Sequence, residues 1–216
     1  MAGLRLRQKQ QRQLRILEAA RQLFREDDYR SVTIETIAQK AELSPMTVFN
    51  YYGSKGGLLL ALVAESDRYL VKKINAVLET RFVDLAAAIT AFSLTIIDHG
   101  FSYLDRRSWG HVWATAILEG DSTFGNEFFA LERELIRLLS SLLDRLKADG
   151  LLHPACDSSM AASVIYNIHN ARFIEYAANI AIPRDEIEAV IRKELSFVAS
   201  CLELRSGDAM PDRGER

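Results

Sequence analysis

The chain is poor in the residues that cross-link, break or catalyse. Two cysteines in 216 residues, Cys156 and Cys201, cannot build a disulfide framework and read as free thiols of a reducing compartment. The four prolines, at positions 45, 154, 183 and 211, leave long stretches in which helices can run unbroken. No run alternates apolar and polar residues in the manner of a half-buried strand, which argues against a β-rich fold. No nucleophile elbow, HExxH, phosphate-binding glycine loop or CxxC occurs, so an enzyme is not expected. The histidines, His99, His111, His153 and His169, include no close pair, and neither a metal site nor a cofactor is expected. The amino-terminal residues are charged without an apolar h-region, against a secretory signal. Long apolar stretches are interrupted, as at Asn167, His169, Arg172 and Glu175, which argues against a transmembrane span and for a cytoplasmic protein.

What is present is apolar and helical in its spacing. Hydrophobic residues make up 49% of the chain, ample for a packed core. The net charge of −2 hides an asymmetry. Residues 1–55 carry ten Lys/Arg against six Asp/Glu, whereas the remainder carries 17 against 23. A basic head on an acidic body is the footprint of a nucleic-acid-binding module joined to a part that does not bind.

The basic part contains the stretch around which the chain is organised, Thr33 to Lys55. Thr33 is a good N-cap, and Ile34, Ile37, Ala38 and Ala41 recur at helical spacing. Ser44 caps a second short helix with Pro45 at its first position, where a missing N–H costs nothing. Val48 and Tyr52 share the inner stripe, leaving Met46, Thr47, Asn50 and Tyr51 outward. Two short helices joined by a tight turn are the arrangement that lays one helix in a DNA major groove. An Asn can bond an adenine edge, a Thr or Met can meet a thymine methyl, and hydroxyls reach phosphates. Ser44 and Lys55 flank the helix where phosphates would lie, and Arg5, Arg7 and Lys9 form a basic arm ahead of it.

The segment TIETIAQKAELSPMTVFNYYGSKGGLL resembles the DNA-binding signature of the TetR/AcrR transcriptional regulators. Thr33, Ile37, Ala38, Ala41, Ser44, Thr47, Lys55 and Leu58 match without a gap. Three positions depart from the pattern. Glu42 stands where the turn usually has Gly, Phe49 where the recognition helix usually has Tyr, and Gly56-Gly57 follow Lys55 where helix formers are usual. The glycines predict a soft helix start and a pivot. The resemblance implies an all-α fold of about nine helices, with a three-helix head over residues 1–55 and a ligand-binding and dimerisation body over 56–216. It also implies a homodimer through the last two helices that reads the two halves of a palindromic operator.

Periodicity places helices at about Gln10–Glu26, Ser54–Glu79, Phe82–Leu104, Ser108–Glu119, Phe124–Asp149, Asp157–Ile180 and from Pro183 onward, with 207–216 a frayed tail. Large aromatics gather in the body, among them Phe101, Tyr103, Trp109, Trp113, Phe124, Phe128 and Phe129. They fit either a filled core or an apolar ligand cavity. In the second case His99, His111, Tyr166, Asn167, His169, Asn170 and Arg172 are candidate polar groups, and the binding set is Phe101, Trp109, Trp113, Phe128, Tyr166, His169, Asn170 and Phe173. The reading is a DNA-binding transcriptional regulator, a repressor released by a small hydrophobic or amphipathic ligand. The alternative is a constitutive DNA-binding protein of the same fold without an effector.

Overall fold

Helix signals spaced along the chain become nine α-helices and no strand among the described residues of the computed structural model, residues 2–118 and 120–203. The side chains of residues 2, 4, 5, 123 and 124 are outside that description, as are Glu119 and the expected tail at 207–216. Arg5 of the basic arm and Phe124 of the aromatic group therefore lie outside the described side chains.

The head is α1 (Ala2–Glu26), α2 (Ile34–Lys40) and α3 (Pro45–Tyr52). The first helix begins eight residues earlier than its apolar stripe suggests, because residues 2–9 contain no helix breaker except Gly3. Ile16, Ala20 and Phe24 of α1 are buried in one core with Ile37, Ala38 and Val48 of the two short helices. Thr33 caps α2 as expected, and its hydroxyl accepts from Thr36 N while the Thr36 hydroxyl accepts from Thr33 N, a reciprocal pair. The turn into α3 places Glu42 at φ 55°, the left-handed conformation that its usual glycine adopts freely.

α4 (Lys55–Glu79) follows without a linker. Ser54 caps it, accepting from Gly57 N at 2.8 Å. The start that reads as soft is instead enclosed: Gly56, Gly57 and every residue from Leu58 to Val63 are buried. A helix buried all round over two turns needs partners on all sides, and α4 packs on α1, α3, α5, α6 and α7.

The body is completed by α5 (Leu85–Tyr103), α6 (Arg106–Leu118), α7 (Thr123–Ala148), α8 (Ser158–Ala178) and α9 (Arg184–Leu202). Asp84, Ser122 and Asp157 cap α5, α7 and α8 with their side chains. Asp84 moves the start of α5 three residues past Phe82, and Pro183 is the cap residue of α9 rather than its first helical residue. Contrary to the reading that no stretch is apolar enough to span a membrane, α5 reaches that length with a mean hydropathy of 1.3. More than half of it is buried inside the fold, with Leu85, Ile89, Phe92 and Ile96 facing the other helices, as in a core helix.

Arg106, at the start of α6, closes the C-terminus of α8. Its guanidinium donates to the carbonyls of Tyr176 at 2.6 Å, Ile182 at 2.9 Å and Asn179, and lies 3.8 Å from the Tyr176 ring centroid. The last carbonyls of a helix have no internal partner, so a planar five-donor cation satisfies several at once. Arg106→Ala should lower unfolding stability by about 2–3 kcal/mol, the cost of stranding charge-assisted bonds at a half-buried site. Arg106→Lys should recover less than half of that, as measured by urea denaturation.

Candidate DNA-reading helix and body cavity

The third helix of the head, α3, presents its outer face to solvent. Met46 is 65% exposed and Phe49 55%, Pro45 and Asn50 are exposed, and Thr47 and Tyr51 are half-buried, while Val48 and Tyr52 sit in the core. The division expected from helical spacing therefore holds, with Phe49 added to the outer set. Ser44 Oγ accepts from Thr47 N and lies 2.8 Å from the Thr47 hydroxyl. A groove between α1 and α3 is lined by Lys9, Arg12, Gln13, Thr47, Asn50 and Tyr51. Two cations from α1 thus stand beside the reading helix, of which Arg12 carried no signal beyond its charge.

Lys55 is placed differently from the phosphate contact that its position suggests. Its ammonium donates to the carbonyls of Tyr29 at 2.7 Å and Val32 at 2.9 Å and sits 4.2 Å from the Tyr29 ring centroid. Burial lowers its pKa. The loop between α1 and α2 is thereby tied to the first residue of α4. His111 of α6 stacks on the same Tyr29 ring at 4.1 Å, so His111 belongs to the seam between head and body and not to the body's interior.

In the body, α4 to α8 enclose a cavity of about 30 Å³. Seven of the eight expected residues line it: Trp109, Trp113, Phe128, Tyr166, His169, Asn170 and Phe173. The eighth, Phe101, lies behind the wall and stacks on Phe173 at 4.7 Å. Asn167 and Arg172 point elsewhere, into a shallow groove between α8 and α9, where Arg172 Nε meets Glu194 at 3.0 Å. Gly100 makes the aromatic wall possible, since a Cβ there would stand 3.0 Å from the Phe173 ring. The choice between filled core and open pocket resolves close to the first: the free volume suits about one water.

Two wall residues carried no signal in the sequence. Asp67 of α4 and Glu132 of α7 line the cavity, and no Lys or Arg does so among the described residues. Glu132 accepts from Tyr166 Oη at 3.1 Å and from Asn170 Nδ2 at 2.7 Å. Burial raises its pKa against these two bonds. Burial, and then the charge of Glu132, push Asp67 up to about 8. The two imidazoles on the wall are neutral. His169 is fully buried, bonded to Ser93 at 2.7 Å and pushed down to about 3 by burial, and His99 is lowered by burial and by Lys73. His99 Nδ1 and Trp113 Nε1 are buried without a protein partner.

A short exposed reading helix, a cationic flank and a closed helical body define a helix-turn-helix DNA-binding protein. Residues 16–62 match the family model described as bacterial regulatory proteins, tetR family. An uncharacterized HTH-type transcriptional regulator of Bacillus subtilis (strain 168), YvkB, is 43% identical over 51 residues, which span 24% of this chain and 27% of that protein. A TetR-family transcriptional regulator from Pectobacterium atrosepticum has the same fold at 21% identity, with TM-score 0.67 over 89% of this chain and 94% of its own. Thermus thermophilus FadR, a TetR-family transcriptional repressor solved in complex with lauroyl-CoA, gives 0.65 at 19% identity over 92% and 99%. The head thus carries the DNA-binding region of the tetR family of bacterial regulatory proteins, and the chain as a whole has the fold of TetR-family regulators of known structure.

The raised pKa of Asp67 fixes a stability profile. A carboxyl whose folded pKa lies above its unfolded one binds a proton on folding. Its contribution is full below about pH 4 and is lost as pH rises through about 8. His169 acts in the opposite sense, and its loss begins only as pH falls below its ordinary value of 6.5. Between about pH 6.5 and 8 the melting temperature should therefore fall, and Asp67→Asn should flatten that slope and raise the melting temperature at pH 8 more than at pH 6, as measured by calorimetry.

Proposed function

We propose that the chain is a homodimeric cytoplasmic repressor that leaves a palindromic operator when a small apolar or amphipathic molecule enters the body cavity. Residues 1–55 would bind DNA and 56–216 would carry the effector site and the dimer contact. The observation behind this reading is α4. Its first turns are locked into the head, and Val63, Ser66, Asp67 and Leu70 further along form one wall of the cavity. Because the cavity is small, an effector must displace a wall to enter, and the displacement would reach the head through a continuous helix. Such a ligand acts by preferring the conformation in which the paired heads are wrongly spaced. The constitutive alternative draws on the same small volume, since a cavity of about 30 Å³ could belong to a plain core.

The dimer reading is supported by an exposed, mainly apolar stripe. Met160, Val164, Ala171 and Ile174, with Asn167 among them, recur on α8 every three or four residues and all are exposed, and Phe197 of α9 is 72% exposed. That spacing is the seam of a helix that packs lengthwise on another. Val164→Glu together with Phe197→Glu should give a helical monomer by light scattering, with operator affinity reduced at least 100-fold. A dimer that survives both charges would remove this assignment.

On the DNA side, Thr33, Ser44, Pro45, Met46, Thr47, Asn50, Tyr51 and Lys55 make up the expected contact set. Asn50, exposed at the centre of the reading face, would read a base edge, and Lys55 would act as a positioning residue through the loop carbonyls that it holds. Asn50→Ala should relax preference at particular base pairs by about 1–3 kcal/mol with thermal stability unchanged. Lys55→Ala should lower the melting temperature and weaken operator and random DNA alike, while changing the salt slope by less than the ~0.9 of a direct phosphate contact. The test of the whole reading is footprinting of the full chain on DNA flanking its own gene, with and without hydrophobic compounds. Protection of a palindrome that one compound class abolishes is the expected result, and no protection at low salt overturns it.

A further inference from the structure

We propose that the molecule sensed by the cavity is an apolar amine, its ammonium paired with Asp67 and Glu132 and its hydrocarbon part against the rings of Trp109, Trp113 and Phe173; the proposal rests on the sensor reading above. Three observations carry it. The wall brings together two carboxyls from different helices and no cationic side chain among the described residues, so an anionic ligand would meet no counter-charge. Aromatic faces surround them, and a cation over an aromatic face is favoured most where water is absent.

The third observation is a missing hydrogen-bond donor. His99 is 94% buried, its exposure being 6%, and its Nε2 lies 2.7 Å from the Ser66 hydroxyl and 3.2 Å from the Ser66 carbonyl. In the tautomer that donates Nε2–H to the carbonyl, Nδ1 is a buried acceptor with no protein partner. Trp113 Nε1 is the wall's unpartnered donor, one against a bare imidazole nitrogen and two carboxyls. An ammonium brings three donors to this acceptor-rich lining. Without it the site holds a proton in the cation's place, so amine binding should expel that proton. The ionisable groups facing the site are the Asp67–Glu132 pair, which titrates as a unit, and His99, His169 and Tyr166, which stay neutral through the neutral range.

The chain's two tryptophans both line the cavity, so intrinsic fluorescence reports on it directly. The full-length protein is titrated with 4-phenylbutylamine, 4-phenylbutan-1-ol and 4-phenylbutyrate, and each is then tested for release of the DNA that footprinting protects. The amine should bind about tenfold or more tighter than the alcohol near pH 7.5, with the carboxylate weakest. Amine affinity should rise about tenfold per pH unit toward about pH 8, where the Asp67 proton is no longer held. The alcohol should show no such dependence. Asp67→Asn should abolish the amine's advantage over the alcohol and its pH dependence, with far-UV circular dichroism and a cooperative melt retained, which separates lost charge from a damaged fold. Glu132→Gln, whose amide can still accept from Tyr166, should reduce the advantage in part. If the alcohol or the carboxylate binds as well as the amine and releases DNA, the amine assignment falls and the sensor reading stands. If none of the three changes the fluorescence at millimolar concentration or releases DNA, the cavity is core and both fall.

Discussion

Everything in this fold depends on the burial of α4 from its first turn. A helix that enters the body through a flexible linker can move without consequence for what lies at its other end. Here the Ser54 cap, two buried glycines and six successive buried side chains leave no such freedom. The head is packed on the helix, and so is the body. Lys55 adds a second tie by holding the carbonyls of the α1–α2 loop, and His111 adds a third from α6 through the Tyr29 ring. A shift of the body helices has to be absorbed by the head as a rigid displacement, because packed interfaces move between discrete arrangements and do not deform smoothly.

The head was legible in the sequence because its determinants are local. Thr33, Ser44 and Pro45 act on the backbone within three residues of themselves, and Val48 and Tyr52 are assigned to the core by helical geometry alone. The same local reasoning went wrong where tertiary packing overrides propensity. Gly56 and Gly57 read as a soft helix start because glycine costs conformational entropy, yet burial on several sides fixes them. Lys55 read as a phosphate contact because a cation beside a reading helix usually faces solvent, whereas the loop it caps is 26 residues earlier in the chain and invisible to any periodicity.

In the body, aromatic clustering together with the polar candidates of α8 found seven of the wall residues, since large rings at helical spacing must meet somewhere inside. It did not find Asp67 or Glu132. A lone carboxylate in an amphipathic helix normally lies on the solvated face, and nothing within α4 or α7 says that these two face inward. His111 was misassigned for a related reason. α6 has one face toward the cavity, through Trp109 and Trp113, and another toward the head, and its sequence does not say which residue serves which.

The half-buried carboxyls Asp67 and Glu132 also separate what the fold shares with its structural neighbours from what is particular to this chain. FadR of Thermus thermophilus was solved with lauroyl-CoA in the same architecture, at 19% identity. That likeness concerns the arrangement of helices, and ligand chemistry is set by side chains the arrangement does not dictate. An apolar tail would suit the rings of Trp109, Trp113 and Phe173 in either protein, but the polar end of a ligand must suit the groups that meet it. In this chain those groups are two acids with raised pKa values and two neutral imidazoles, a lining whose desolvation costs free energy that the bonds from Tyr166 and Asn170 to Glu132 offset in part. A core selected for packing alone has no reason to retain such a pair, because isosteric apolar residues would be at least as stable there. On the sensor reading proposed above, the destabilising acids are the part of the body that would answer to a ligand, and α4, which carries one of them, the path by which the head would answer in turn.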